Sequence, residues 1–405
     1  MKKIVFAVDP NDKFLESYRP YKHQNIALPD QKGRPMFIPD YHAPLTKVYE
    51  DNGYTVTKTN INDACKQSEP FVYLISPQPN IFTLLKEEPQ KIVDLFMKID
   101  TLLIDAINTN RCAMIVHNCK EQYAGGKTIE TKFKKLLLDI GIRDPKSIII
   151  LENSPNAKVS DMLNFVQWNY FETAVRLLGK NYQPTTNFKA NYKKFLCVNF
   201  TPRYHRKDFM YAMRDSGILH DFNASHNDSE LPLSYDTDTH NINLDGNGKD
   251  IKPSSGHIPM LIADVNHWNT IPIKLKQENL IFVVTETPFQ SEDLLFNTEK
   301  TFKPILLKMP FILLSNFGSL KYLKELGYKT FSHMWSEHYD NILDEHERLQ
   351  EICRVVKQLS TLTNGQLKKL VLDNNHILEH NYNLLMSRRP ETKVFNAVNK
   401  IITRQ

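Results

Sequence analysis

Short apolar runs alternate with helical stretches along this chain at the spacing of βαβ units. That alternation predicts an α/β protein with two parallel-sheet domains and a helical C-terminal tail. Two bulk observations agree. The chain has 405 residues, which suits two domains of ordinary size. Hydrophobic residues make up 41% and aromatics 10%, enough to fill real cores and inconsistent with global disorder.

Lys3 to Val8 is a continuous apolar run and reads as a buried strand. Residues 9–41 are Pro-rich and poorly periodic, the mark of a long functional loop. Ala43 to Asp51 is helix-like, Gly53 closes it, and Tyr54 to Thr57 reads as a strand. Further strands are expected at Pro70–Ile75, Cys112–Val116 and Ser147–Leu151, with helices at Lys91–Ala106, Ile129–Leu138 and Met162–Leu178. Gly179 to Asn191 is polar and suits an inter-domain linker. A second unit starts with the strand Phe195–Val198, followed by a helix over Lys207–Ser216. His220 to Ser254 is rich in Asp, Asn, Gly and Ser and reads as a surface excursion. Then come a strand at Leu280–Val284, a helix at Thr301–Leu307, a strand at Pro310–Ser315 and a turn at Gly318. From Asp344 onward the apolar spacing is helical. The expected domains are 1–180, 190–375 and a C-terminal helix in 376–405 that packs back on the first domain.

Net charge is +5, mildly basic, which permits an anionic ligand without demanding one. The five cysteines are scattered, with no zinc-ligand spacing, and read as reduced thiols in a reducing compartment. The apolar run at the N-terminus is too short for a secretion signal, and Asp9-Pro10 interrupts it. No segment approaches the ~20 apolar residues that span a bilayer. A cytoplasmic protein without a membrane span is the expectation.

The chemistry gathers at strand ends, where open α/β sheets bind ligands. Asn199 ends one strand, and Arg203, His205 and Arg206 crowd the turn into the next helix. Such a turn directs free N–H groups at an anion, and guanidinium forks fit phosphate oxygens. Glu286 follows the second unit's next strand. Glu299, Lys300 and Lys303 open the helix after it, with Thr298 as N-cap. A carboxylate at a helix start is favourable by ~0.3–1 kcal/mol, but lysines there are not, so a ligand-binding role explains the group better. The carboxylate can accept ribose hydroxyls and a lysine can reach a diphosphate. The Gly-rich Ala124–Thr128 turn is no phosphate loop, because Glu121 stands where a glycine is required. Asp236 and Asp238 lie in the polar excursion and read as solvated loop; no metal site is expected. A catalytic base would come from the first domain, with Asp9, Asp40, His42, His117 and Glu152 as candidates.

Phe195–Asn199 with Arg203–Arg206, Val284-Thr-Glu286-Thr, Phe296–Pro304, Pro310-Phe311, Gly318–Leu320 and Leu326–Phe331 together resemble the C-terminal half of glycosyltransferases found in large DNA viruses, phages and bacteria. The Thr-Glu-Lys piece is also similar to the donor motif of α1,3-fucosyltransferases. The resemblance covers about residues 190 to 335. It implies a GT-B architecture, two Rossmann-like domains facing across a cleft, and a nucleotide-sugar co-substrate, UDP- or GDP-linked, with no other cofactor. Carried over, Glu299 would hold the ribose, Glu286 would lie near the sugar or ribose, and Lys300, Arg203 and Arg206 would neutralise the diphosphate. Glu-Asp-Leu-Leu-Phe precedes Asn-Thr-Glu-Lys here instead of a small polar cluster, which weakens the case for GDP-fucose. The acceptor is either a saccharide or double-stranded DNA carrying hydroxymethylated bases. The basic residues Arg388, Arg389, Lys393, Lys400 and Arg404 suit the second.

Overall fold

The computed structural model describes residues 2–8, 43–75, 81–96, 99–119, 126–179, 182–184, 188, 192–199, 203–225, 242–243, 270–271, 276–290 and 294–403. The chain divides into two units, Met1–Tyr170 with Arg389–Gln405, and Phe171–Arg388. The first division falls before the expected linker, because Gly179 is buried against Leu306 within the second unit. The second falls within the expected tail, at Arg388.

The first unit is built on a parallel sheet of β1 (Lys2–Val8), β2 (Tyr54–Asn60), β3 (Phe71–Ile75), β4 (Cys112–His117), β5 (Ile149–Glu152) and β6 (Asn164–Gln167). Their order is β2-β1-β3-β4-β5-β6. Every residue of β3, β4 and β5 is buried, which is why these strands read as continuous apolar runs. The edge strand β2 alternates threonine with other residues and stays partly exposed. Helices α1 (Ala43–Asp51), α2 (Ile61–Lys66), α3 (Ile81–Glu87), α4 (Pro89–Phe96), α5 (Thr101–Asn108) and α6 (Lys127–Asp139) connect them.

Two expectations fail here, one for a local reason and one for a tertiary one. The single helix expected over Lys91–Ala106 is two helices. Asp100 takes the N-cap of α5, accepting the Leu102 N–H at 2.8 Å, and so starts a new helix. The helix expected from Met162 begins only at Tyr170, because Asn164–Gln167 pairs residue for residue with β5 as strand β6. The ladder overrides local periodicity. The C-terminal helix, Thr392–Ile402, packs on α1, β4, β5 and β6. Its Phe395 meets Tyr49 edge-on at 4.7 Å, and Asn399 accepts a hydrogen bond from the Tyr49 hydroxyl.

The division at Tyr170 falls at the first residue of α7 (Tyr170–Leu178), and the second unit continues with β7 (Lys193–Val198), α8 (Tyr204–Asp215) and β8 (Phe222–Ser225). Thus part of the expected polar excursion is a strand, held by pairing of Phe222 with Phe195. β9 (Ile242–Asn243) and β10 (Thr270–Ile271) pair antiparallel. β11 (Asn279–Thr285), α9 (Glu299–Leu306), β12 (Phe311–Leu314) and α10 (Ser319–Glu325) follow, then α11 (Glu345–Ser360), α12 (Asn364–Asp373) and α13 (Asn375–Ser387). The sheet order is β12-β11-β7-β8, all parallel. Near the unit's two ends, Glu172 accepts from the Tyr328 hydroxyl at 2.7 Å and Arg388 Nε at 2.5 Å. Arg388 is therefore tied within the fold. The α/β class, two parallel-sheet units and a helical C-terminus are as the sequence predicts. All five cysteines are unpaired and buried.

Candidate functional site

From β7 the chain crosses through α8 to β8 on one side; from β11 it crosses through α9 to β12 on the other. Right-handed crossovers in opposite directions put α8 and α9 on opposite faces of the sheet. The carboxyl ends of β7 and β11 are thus a topological switch point, the place where open α/β sheets bind ligands. Asn199 follows β7 and Glu286 follows β11. Asn199 Oδ1 accepts a hydrogen bond from the Thr285 hydroxyl, which ties the two strand ends together.

Glu286 is fully buried. Its Oε1 accepts the Thr298 N–H at 2.9 Å and the Thr301 hydroxyl at 2.6 Å. Its Oε2 accepts the Thr298 hydroxyl at 2.6 Å and the Thr287 N–H at 3.2 Å. Four donors thus meet two oxygens, so the structure uses Glu286 to fasten the first turn of α9. Thr298 is also the N-cap of that helix, accepting from Lys300 N. Glu299 and Lys300 occupy the turn so held. Lys300 Nζ lies 2.8 Å from Glu299 Oε1, with the lysine side chain 16% exposed. Burial pushes the Glu299 carboxyl up, but the charges of Lys300 and Lys303 outweigh it and hold the group below the ordinary glutamate value. Lys303 is buried in the next turn.

On the other side of the switch point, Arg203 is the N-cap residue of α8 and is exposed. Among the described residues its side chain makes no hydrogen bond or ion pair, and it stands at a helix N-terminus, where an anion is favoured. Arg206 differs from expectation. It is buried, and its Nη2 donates to the carbonyls of Thr285 and Glu286, each at 3.1 Å. Burial, with Arg203 nearby, lowers its pKa. His205 is buried as well. Its Nε2 lies 3.0 Å from the Glu286 carbonyl, so Nε2 carries the proton. Burial drives its pKa down to about 3, aided by Arg206 and Arg203 against the pull of that carbonyl.

The loop after β11 is held at further points that no local sequence signal marks. The Tyr204 hydroxyl donates to the Phe289 carbonyl. Arg348, from the first turn of α11, donates to the Gln290 carbonyl at 2.7 Å and lies over the Phe289 ring at 4.5 Å. Asn316 accepts the Gln290 N–H at 2.8 Å. The N-terminus of α10 is filled by Asp340, which accepts from Leu320 N and Lys321 N. The next strand's helix start is therefore no anion site, while those of α8 and α9 carry Arg203 and Lys300.

In the first unit the switch point lies between β1 and β3, and the segments that follow those strands, 9–42 and 76–80, are outside the described residues. Asp9, Asp40 and His42 fall there, as do Asp236 and Asp238 of the second unit. His117 ends β4, buried, with Tyr170 edge-on at 4.6 Å and Trp168 at 5.7 Å. Glu152 ends β5, buried, accepting from Ser154 N at 2.9 Å and Asn118 Nδ2 at 3.2 Å. Burial pushes its pKa up to about 7, against those hydrogen bonds. A carboxyl with that value can give or take a proton near neutral pH.

No protein-family model matches the chain, and no curated protein matches it in sequence. Among solved structures, the chain is similar to a DNA-modifying β-glucosyltransferase studied with and without uridine diphosphoglucose. The identity is 11%, 99% of each chain is covered, and the TM-score is 0.41. It is also similar to a structure from Listeria monocytogenes assigned as a UDP-N-acetylglucosamine 2-epimerase. There the identity is 11%, 99% of this chain and 95% of that chain are covered, and the TM-score is 0.33. Likeness at this level assigns no activity, so function has to be argued from the residues.

Among the described residues, no group of three or more His, Cys, Asp or Glu is placed to hold a metal ion, and no helix is long and apolar enough to cross a membrane.

Proposed function

We propose that the protein is a nucleotide-sugar-dependent glycosyltransferase of the GT-B kind, with the donor held by the second unit. The observation that carries this reading is the first turn of α9. A carboxylate, Glu299, and a cation, Lys300, are fixed there by the buried Glu286 at a switch point, with Arg203 at the other helix start. In this reading Glu299 accepts the ribose hydroxyls, while Lys300 and Arg203 face the diphosphate. Arg206 and Glu286, expected as direct contacts, act from behind, and Lys303 balances Glu299.

In the transfer, the acceptor hydroxyl oxygen bonds to the anomeric carbon as the bond from that carbon to the diphosphate oxygen breaks. Its proton passes to a general base. Negative charge grows on the departing diphosphate, so fixed cations stabilise the transition state more than the ground state. Glu152 and His117 are the described candidates for the base. The acceptor is a glycan or a hydroxymethylated base in DNA. A base acceptor would have to leave the duplex stack, and its binding would weaken steeply with salt. The tie between Arg388 and Glu172 removes one charge from the basic tail that favoured DNA.

The test is a thermal-shift screen against UDP, GDP, CMP and dTDP and their sugars, with Lys300→Ala as control. A nucleotide at 100 times its Kd adds about 2.7 kcal/mol of stability. One nucleotide should stabilise the wild type and not Lys300→Ala, and turnover of its sugar should fall by about 10²-fold or more in the variant. No shift with any nucleotide would remove the donor assignment. Binding without transfer to any glycan or DNA acceptor would mark a non-catalytic nucleotide-sugar-binding protein.

A further inference from the structure

Glu286 lies at the centre of the candidate donor site, yet both its oxygens are spent on donors from its own unit. Thr298 and Thr301, which hold its carboxylate, flank Glu299 and Lys300 directly. Fixing the residue before and the residue after that pair fixes the pair. The backbone of Glu286 is gripped in turn from α8. Arg206 Nη2 donates to its carbonyl at 3.1 Å and His205 Nε2 lies 3.0 Å from the same oxygen. Those two residues follow Arg203 within the first turn of α8.

We infer that Glu286 is a positioning residue: it locks the first turn of α9 to the first turn of α8, so that Arg203 and the Glu299–Lys300 pair present to a nucleoside diphosphate as one body. This rests on the donor reading above. The physical reason is the two-sided use of one residue. Its carbonyl takes a guanidinium and an imidazole from α8, and its carboxylate takes two hydroxyls and an N–H from α9. A ligand group misplaced by ~1 Å loses much of its effect, so a site built on two separate helix starts needs such a link. His205 supports the link by donating from Nε2 to the Glu286 carbonyl.

Thr301 tests the lock, because it is buried and faces Glu286 rather than solvent. Thr301→Val keeps the shape and removes one donor, Thr301→Ala removes it with less bulk, and Thr301→Ser restores it. Leu367→Ala, in the buried face of α12, is the control for lost stability alone. Nucleotide affinity is measured by calorimetry well below each variant's Tm, with the diphosphate among UDP, GDP, CDP and dTDP that binds the wild type most tightly. Thr301→Val and Thr301→Ala should each weaken Kd about tenfold, consistent with a displaced ligand group. Thr301→Ser should recover wild-type affinity, and Leu367→Ala should leave it unchanged. Wild-type affinity in Thr301→Val and Thr301→Ala would overturn the lock while leaving the donor reading intact, as would an equal loss in Leu367→Ala. A wild type that binds none of the four nucleotides would remove the donor reading, and the lock with it.

Discussion

Thr298 gives both its backbone N–H and its hydroxyl to the carboxylate of Glu286, at 2.9 and 2.6 Å. One residue thus caps α9 and anchors it to the end of β11. With Thr301 and Thr287 added, four donors surround the carboxylate, and each oxygen takes one backbone N–H, from Thr298 or Thr287, that cannot turn into an acceptor. A glutamine in its place sets its amide NH₂ against one of those N–H groups whichever way it is turned. Glu286→Gln should therefore destabilise the protein by about 1–3 kcal/mol, the cost of leaving buried donors unpaired. Chemical denaturation of both proteins measures it, and a variant as stable as wild type would show that the carboxylate is not the anchor.

His205 should remain neutral far into acid. Its pKa in the folded chain is about 3, against 6.5 for an ordinary histidine. Between those values the unfolded chain binds the proton and the folded chain does not. Stability is then lost as pH falls from 6.5 towards 3, at up to about 1.4 kcal/mol per pH unit. ¹⁵N chemical shifts of the imidazole at pH 5 should show a neutral ring protonated on Nε2. A charged His205 at pH 5 would show that burial does not hold the ring neutral.

How much of this was legible beforehand depended on whether the determinants are local. β4 and β5 were legible because strands covered on both faces are unbroken apolar runs. Glu299 and Lys300 were legible because a lysine at a helix start is electrostatically odd. The roles of Glu286 and Arg206 were not. Glu286 meets its partners 12 and 15 residues later, and Arg348 reaches the Gln290 carbonyl from 58 residues away. Asp100 looked like one more surface acid within a helix, and only its N-cap geometry shows that it starts one. Residues 164–167 carry helical periodicity, and it is the ladder to β5 that makes them a strand.

Glu152 should give the opposite pH slope to His205. Its folded pKa is about 7, above the ordinary 4.5, because burial disfavours the ionised form. Between 4.5 and 7 the folded chain holds a proton that the unfolded chain has lost. The resulting stability is complete below 4.5 and is lost as pH rises through about 7, again by at most about 1.4 kcal/mol per unit. Glu152→Gln keeps the shape and cannot ionise, so its Tm should lose this component of the pH dependence. If the variant and the wild type show the same profile from pH 4.5 to 7, Glu152 does not titrate there and is a poor candidate for the base.

Gly179 was expected to begin a linker, and its surroundings say otherwise. A Cβ built on it would lie 2.2 Å from Leu306 Cδ1 and 2.9 Å from Leu306 Cγ. Leu306 is fully buried in α9, so its side chain has little room to swing away. Gly179 is not in the left-handed region, so the obstacle to a side chain is packing rather than backbone strain. Elsewhere, at a compatible backbone, Gly→Ala stabilises by about 0.4–1 kcal/mol by restricting the unfolded chain. Here overpacking should prevail, and Gly179→Ala should destabilise by about 1–3 kcal/mol. Leu306→Ala removes the clashing atoms at its own cost of about 2–5 kcal/mol. In that background the sign should reverse, with Gly179→Ala neutral or mildly stabilising. A double-mutant cycle by denaturant unfolding reads this directly. Additive losses would mean that Gly179 and Leu306 do not share the space the structure assigns them.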